Sequence, residues 1–228
     1  MRQPKQQRAV ETRAGILRAA AEVFIEAGYA GAGINRILQR AGATAGSLYF
    51  HFGSKEGLAR AVMSSQSASV LPFLASEGLQ RLVDITLVWA HQLQNDLMLR
   101  AGVRLTTEAG ILGLGEADKP YTEWADVMRD CLQTASDLGE LQAGVDPLQL
   151  AEHVVATCTG MQLFSEAAST DRADLPQRVR RMWQLLLPGI AVPATAVRID
   201  LDPGRGERLA AAVGRPPAEA AAPSPAKP

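Results

Sequence analysis

Apolar residues recur along most of this chain at spacings of three and four, which is the period of an amphipathic helix. The pattern is clear over residues 11–26, where Ile16, Ala20 and Phe24 share one helical face. Gly28 follows, and glycine commonly ends a helix because it adopts the left-handed conformation without strain. A first helix that ends near Gly28 is therefore expected.

The next segment predicts three more helices in quick succession. Apolar residues place a short helix over 34–41 that ends at Gly42, a second over about 45–52, and a much longer one that begins at Lys55. A Thr and a Ser stand directly before the last two helices, where a side-chain oxygen can accept hydrogen bonds from free backbone N–H groups. Two short helices around a tight glycine turn predict a helix-turn-helix.

The rest of the chain is also expected to be helical. Further helices are predicted at about 77–95, 97–109, 121–138, 147–168 and 175–191, with a last short one in "GERLAAAV". No segment shows sustained alternation of apolar and polar residues, so no sheet is expected and the predicted fold class is all-α. The Pro- and Ala-rich stretch 214–228 is predicted to be disordered.

The distribution of charge along the chain is more informative than the net charge. The chain has a formal net charge of −1, but residues 1–60 contain nine Lys/Arg and four Asp/Glu, which leaves +5 there and −6 in the remainder. This asymmetry indicates an N-terminal portion that meets a polyanion. No run is long enough to cross a bilayer and no signal peptide is evident, so a soluble cytoplasmic protein is expected.

The segment "TAGSLYFHFGSKEG" places three of the eleven aromatic residues of the chain within four positions. Leu48 and Phe52 are four apart, so they are predicted to anchor the short helix on the core. Tyr49 and His51 fall off that face and can reach a phosphate, while Phe50 is expected to pack where the third helix meets the fourth. Any one of these aromatics is more often core than contact, but the ordered set is specific.

Residues 12–62, "TRAGILRAAAEVFIEAGYAGAGINRILQRAGATAGSLYFHFGSKEGLARAV", resemble the DNA-binding domain of the TetR family of transcriptional regulators. The resemblance implies an all-α homodimer that binds a near-palindromic double-stranded DNA operator. Its domains would be a flexible basic arm (1–10), a helix-turn-helix domain (11–56) and a ligand-binding and dimerisation domain (57–213).

The same resemblance implies the DNA contacts. Groove-facing positions correspond to Thr44, Ala45, Gly46, Ser47 and Tyr49, and phosphate contacts correspond to Tyr49, His51 and Lys55. Two positions depart from the family pattern. Ala45 stands where relatives often have Lys, and the helix over 34–41 starts after Gly33, where Ser or Thr usually caps.

Three motifs in the chain indicate a particular branch of the TetR family. "KQQRAVETRA" (5–14), "LRAGVRLTTEAG" (99–110) and "PYTEW" (120–124) are similar to the γ-butyrolactone receptor branch of the family. Receptors of that branch sense small lactone or butenolide hormones and repress antibiotic-production genes. A small-molecule signalling ligand is therefore an expected partner.

A pocket for such a ligand needs an apolar lining with a few polar groups. The candidate lining residues combine Trp, Met and apolar side chains with isolated polar groups: Gln66, Trp89, Trp124, Val154, Thr157, Cys158 and Met161. Gln66 is expected on the long helix that leaves the DNA-binding domain. The helices at 147–168 and 175–191 are apolar on more than one face, and the family resemblance assigns them to a dimer interface.

The sequence gives less support to other classes of function. The chain has no HExxH, GxSxG or P-loop, and its one glycine cluster follows a helix, so neither an enzyme nor a cofactor or metal site is expected. Cys131 and Cys158 are predicted to be buried free thiols. A repressor of an efflux pump that senses hydrophobic drugs, and a pseudo-receptor that binds DNA without a lactone, remain alternatives.

Overall fold

The computed structural model describes residues 3–70, 74–112 and 118–212, and within them the chain is almost entirely helical. The eleven α-helices of these residues are α1 Gln3–Gly31, α2 Ile34–Ala41, α3 Ala45–Phe52, α4 Lys55–Met63, α5 Gly78–Asn95, α6 Leu97–Leu112, α7 Lys119–Asp137, α8 Pro147–Ala168, α9 Leu175–Ile190, α10 Pro193–Ala196 and α11 Arg205–Ala212. The described backbone forms no strand, only an isolated bridge between Leu141 and Ala191. The all-α prediction is confirmed.

Two helix boundaries differ from the sequence-based expectation. Helix α1 begins at Gln3, so the described part of the predicted arm (3–10) is helical, and α1 is kinked at Gly28, which has φ +66°. Helix α4 is short and ends at Met63, and a 3-10 turn over Gln66–Ser69 replaces the expected long helix.

The serine-rich sequence after α4 explains its early end. Serine side chains compete for backbone hydrogen bonds and so favour helix ends and turns. Here Ser64 is the C-cap residue, and the Ser65 hydroxyl donates to the Val62 carbonyl at 2.7 Å. The predicted disorder over 214–228 lies outside the described residues.

The helices pack around two hydrophobic cores. One joins α1–α4 to one face of α6, and its fully buried residues include Phe24, Ile37, Leu48 and Leu105. The other lies among α5, α7, α8 and α9 around Trp183, whose indole Nε1 donates to the Thr86 hydroxyl at 2.7 Å. We call α1–α4 the N-terminal unit, and α5 and α7–α9 with the helices that follow the larger helical body. Helix α6 lies between the two.

The C-terminal helix is attached by a buried ion pair. The Arg205 guanidinium donates to both carboxylate oxygens of Asp84 on α5, at 2.6 and 2.8 Å, and Asp84 is almost completely buried.

Both cysteines are free and buried, as predicted. Within the described residues, no helix combines the length and the hydropathy that a membrane span requires.

Candidate functional site

The helix-turn-helix is built from local signals that the sequence displays. Gly42 ends α2 in the left-handed conformation, with φ +60°, and the Thr44 hydroxyl caps α3 by accepting from the Ser47 N–H at 3.2 Å. The Ser54 hydroxyl caps α4 in the same way, at 2.9 Å from the Gly57 nitrogen. Gly33 provides no side-chain cap for α2, as its identity indicated.

Ion pairs hold α2 against α1. Both Arg36 and Arg40 of α2 donate to the Glu26 carboxylate, Arg40 at 2.6 Å. The hydrogen bond from Arg40 is the main reason why the pKa of Glu26 lies below its usual value. These side chains orient α2, and through the Gly42 turn they orient α3.

Helix α3 buries one side and exposes the other. Leu48 is fully buried and Phe52 is half-buried beneath the Arg13 guanidinium, whose carbon lies 5.2 Å from the ring centroid. Tyr49 is 52% exposed and Phe50 is 82% exposed. The predicted packing of Phe50 between α3 and α4 is therefore wrong. Successive residues lie about 100° apart around a helix. When Leu48 and Phe52 face the core, Phe50 lies on the opposite side and is exposed.

The candidate DNA contacts lie at the N-terminal end of α3, on its exposed side, and at the start of α4. Thr44, Ala45, Gly46 and Tyr49 are exposed, and Ser47, His51 and Lys55 are partly covered. The His51 ring meets Phe50 edge-on, with ring centroids 5.1 Å apart. The arrangement leaves polar and aromatic groups facing outward from a firmly anchored short helix.

Lys55 combines a positive charge with a helix N-terminus, which suits it to a phosphate. Its Nζ lies 4.7 Å from the centroid of the Tyr29 ring, and burial lowers the pKa of the ammonium group. The ring holds the side chain in place beside the start of α4.

A cavity opens in the larger helical body. Its wall is formed by the turn at Gln66 and by residues of α5, α6, α7 and α8, and it is mainly apolar. This lining suits a small organic ligand.

The structure brings four of the seven predicted ligand residues together on this wall: Gln66, Trp89, Trp124 and Cys158. The other three, Val154, Thr157 and Met161, do not line it. Val154 is buried in the core and Met161 borders a separate surface groove between α8 and α9. The reason is the rotation of α8, which turns Val155, Thr159 and Gln162 toward the cavity in place of the predicted set.

Sequence reasoning missed eleven residues of the wall, namely Ile85, Thr86, Val103, Thr106, Thr107, Pro120, Tyr121, Met128, Val155, Thr159 and Gln162. Consecutive threonines in the apolar helix α6 were one available signal. Another was the position of Tyr121 one turn before Trp124. The register of α8 had no such signal, because that helix is apolar on more than one face.

The wall exposes little polar surface, although several of its residues carry polar groups. The Gln66 amide, which lies in the 3-10 turn and not on α4, donates to the Thr106 hydroxyl at 3.0 Å. Burial raises the pKa of the Cys158 thiol to about 12, so this side chain stays protonated near neutral pH. Gln162 is 2% exposed and its side-chain oxygen accepts no hydrogen bond from the residues that the structure describes.

Helix α6 connects the cavity to the N-terminal unit. Val103, Thr106 and Thr107 line the cavity, whereas Arg104 and Glu108 contact the kink of α1. Arg104 donates to the Ile25 carbonyl, and the Glu108 carboxylate accepts from the Tyr29 N–H at 2.6 Å. A further bond of 2.8 Å joins Arg104 to Glu108.

Large apolar side chains are exposed on α8 and α9. Leu148, Leu163 and Phe164 lie on α8, and Leu185 of α9 is 78% exposed. The Arg178 guanidinium carbon lies 4.4 Å from the centroid of the Phe164 ring. An apolar surface spread over two neighbouring helices is typical of a protein interface.

Comparison with protein families gives two matches, one after the other along the chain. Residues 16–62 match the model of the bacterial regulatory proteins of the tetR family, and residues 76–193 match that of a tetracyclin repressor-like C-terminal domain. The first match covers the helix-turn-helix, and the second covers the body that holds the cavity.

Individual proteins are similar over most of the chain. The A-factor receptor protein of Streptomyces griseus is 43% identical over 195 residues, which are 86% of this chain and 69% of that protein. Full-length TylP, a TetR regulator from Streptomyces fradiae, is 40% identical with a TM-score of 0.83, over 91% of this chain and 100% of that one. A γ-butyrolactone receptor described as ArpA-like is 28% identical with a TM-score of 0.64, over 89% of this chain and 97% of that one.

Proposed function

Because this chain belongs to the TetR family of bacterial regulatory proteins, we propose that it represses transcription until a small ligand releases it from DNA. Members of this family are DNA-binding regulators, so the chain is not an enzyme. The proposed ligand is a small lactone or butenolide-type signalling molecule. The proposed targets are secondary-metabolite genes, and the protein would act in the cytoplasm, where its operator is found.

DNA binding is assigned to the exposed side of α3 and the start of α4. Thr44, Ala45, Gly46, Ser47 and Tyr49 are proposed to face the major groove, and Tyr49, His51 and Lys55 to contact phosphates. The net charge of +5 over residues 1–60 supports this assignment, because neutralising phosphates supplies much of the affinity of DNA-binding proteins.

A homodimer is proposed through α8 and α9. The exposed apolar residues Leu163, Phe164 and Leu185 would be buried against the same surface of a second copy. Two copies of α3 could then enter successive major grooves of a near-palindromic operator.

The ligand assignment depends on one observation above all, the mainly apolar cavity with Trp89 and Trp124 in its wall. A flat indole can lie against a lactone ring and its alkyl chain, and the few polar groups can orient the ligand. Trp124 ends the "PYTEW" motif, and the similar proteins include an A-factor receptor and a γ-butyrolactone receptor. These relatives favour a lactone over an unrelated hydrophobic molecule.

Release requires that the ligand prefer the state that cannot bind DNA, since only a difference in affinity moves the equilibrium. Helix α6 is the proposed route. A ligand pressing on Val103 and Thr107 would displace the same helix whose Arg104 and Glu108 bind the kink at Gly28. The N-terminal units of the two subunits would then move apart. Their α3 helices would no longer match the spacing of successive major grooves.

The function is tested by a gel-shift titration on DNA from the promoters of the neighbouring genes. The panel should contain γ-butyrolactones, butenolides and hydrophobic cationic drugs. Release by a lactone or butenolide is expected. Release only by the drugs would instead indicate an efflux-pump repressor, and operator binding that no compound reverses would indicate a pseudo-receptor.

The coupling route is tested by Glu108→Ala, which removes the carboxylate contacted by Tyr29 and Arg104. Ligand binding measured by tryptophan fluorescence should stay near wild type, while release from DNA should need more ligand. Glu123→Ala, on the exposed side of α7, is the matched control. Release of all three proteins at the same ligand concentration would exclude this contact from the route.

A further inference from the structure

Gln162 has an unusual position among the polar groups of the cavity. It lies on α8, is 2% exposed, and belongs to the cavity wall. Its side-chain oxygen Oε1 is buried, yet none of the described residues donates a hydrogen bond to it. Buried polar atoms in proteins are nearly always paired, because an unpaired acceptor loses its hydration without compensation.

The neighbouring polar side chains of the wall differ in this respect. Each of the four threonine hydroxyls already has a partner inside the protein: Thr86 donates to the Val83 carbonyl, Thr106 to Gly102, Thr107 to Val103 and Thr159 to Val155. The Gln66 amide donates to Thr106. These groups satisfy themselves locally, whereas the Gln162 oxygen requires a donor from elsewhere.

We propose that Gln162 is a specificity-determining residue, whose side-chain oxygen accepts a hydrogen bond from a hydroxyl group of the ligand. This inference rests on the ligand-sensing function proposed above and names the chemical class more closely. The preferred ligand is an apolar molecule that bears an alcohol on its aliphatic part. A ketone or an ether at that position has no hydrogen to donate, so it would leave Oε1 of Gln162 without a partner.

The geometry of the amide favours this role. The terminal torsion of a glutamine is broad, so Oε1 can turn toward the cavity at small cost while the rest of the side chain stays packed. On the cavity side of α8, Val155 and Cys158 are apolar or weakly polar, and the Thr159 hydroxyl already donates to the Val155 carbonyl. A buried acceptor in such surroundings binds a ligand that donates a hydrogen bond much more tightly than a ligand that cannot.

The test measures binding directly, without DNA, from the fluorescence of the tryptophans in the wall. The probes are two matched pairs. One pair is a γ-butyrolactone with a hydroxyalkyl substituent and its acyl counterpart of equal length, and the other is a ring-free secondary alkanol and the corresponding alkanone. The alcohol of each pair is expected to bind on the order of tenfold more tightly than its ketone.

Gln162→Leu removes the amide at similar volume and should abolish the preference for the alcohol. Its melting temperature without ligand should equal or exceed that of wild type, because the unpaired oxygen of Gln162 is removed. Gln162→Met serves the same purpose if the leucine variant does not fold. Thr157→Val, on α8 but outside the cavity wall, should keep the preference.

The possible outcomes distinguish the proposed role of Gln162 from the proposed sensing of a lactone. Equal binding of lactone alcohol and lactone ketone would overturn the role of Gln162 and leave lactone sensing intact. A preference for the ring-free alcohol that depends on Gln162, with no binding of either lactone, would support Gln162 and overturn the lactone. An alcohol preference that survives in both Gln162 variants would also overturn the role of this residue.

Discussion

The N-terminal unit and the cavity-bearing body use their residues in different ways. On α3 the buried residue Leu48 and the exposed residue Tyr49 are adjacent in sequence, so anchoring and contact are divided between opposite sides of one short helix. In the cavity wall, the side chains that pack the body are the same ones that would touch a ligand. Substitutions should therefore separate stability from function in the first region and mix them in the second.

The two regions also differ in how far apart their parts lie along the chain. The candidate DNA contacts all fall within residues 44–55, on two short helices with local caps. The cavity wall draws on residues from Gln66 to Gln162, which five separate segments bring together. A local site survives small movements of the fold, whereas a composite one depends on the relative placement of several helices.

The largest expected effect comes from the buried side of α3. Leu48→Ala should destabilise the N-terminal unit by about 2–5 kcal/mol, because Leu48 is fully buried and its removal leaves a cavity. Phe50→Ala, two positions along, should change stability by no more than about 0.5 kcal/mol because the ring is exposed. Thermal unfolding followed by circular dichroism measures both, and equal destabilisation would contradict this division of α3.

Trp124→Ala tests the region where packing and binding coincide. We expect operator affinity to stay near wild type, while release needs roughly tenfold to a hundredfold more ligand because an apolar contact surface is lost. A gel-shift titration with a releasing lactone provides the measurement. If wild type and variant were released at the same concentration, Trp124 would have no part in the ligand site.

Lys55→Met tests the phosphate contact at the start of α4. Affinity for the operator should fall, and the slope of log K against log salt should become shallower by about 0.9, since one fewer phosphate is neutralised. Fluorescence anisotropy at several salt concentrations measures the slope. An unchanged slope would place Lys55 away from the backbone of the DNA.

Tyr49→Phe should have a smaller effect. Removing the hydroxyl deletes one hydrogen bond to the DNA, so affinity should fall by about two- to tenfold. The melting temperature should not change, because the ring remains and Tyr49 is half exposed. A variant with full affinity would show that the hydroxyl does not reach a phosphate.

The smallest effect concerns pH. The pKa of Glu26 is lowered in the folded protein, chiefly by its hydrogen bond to Arg40, so the stabilisation is present above the pKa of the unfolded chain and is lost as pH falls. Glu26→Gln should therefore lower stability near neutral pH and converge with wild type in acid, below about pH 4. A constant difference between the two melting curves at all pH values would rule out this linkage.

Much of the N-terminal unit could be predicted from sequence because its determinants act over a few residues. Helical periodicity, the Gly42 turn and the caps at Thr44 and Ser54 all involve neighbours within one or two turns. The same locality accounts for the predicted bounds of α5 to α9, which the structure reproduces within three residues. The family resemblance carried by residues 12–62 was readable for the same reason.

Features that depend on distant segments could not be predicted in this way. The cavity includes Trp124 and Cys158 as expected, but the rotation of α8 replaced Val154, Thr157 and Met161 with Val155, Thr159 and Gln162. A helix that is apolar on several faces shows no preferred side until its neighbours are in place. The exposure of Phe50 was likewise decided by which residues of α3 the core admitted.

The all-α fold class, the basic helix-turn-helix and the family resemblance follow from the amino-acid sequence, because helix periods, caps and charge depend on adjacent residues. The link that α6 makes between the cavity and the kink at Gly28, and the burial of the Gln162 oxygen with no donor among the described residues, depend on tertiary packing. Those properties arise where segments far apart in sequence pack against one another. The motif "RLTTEAG" shows both levels, since its threonines line the cavity while Arg104 and Glu108 contact α1.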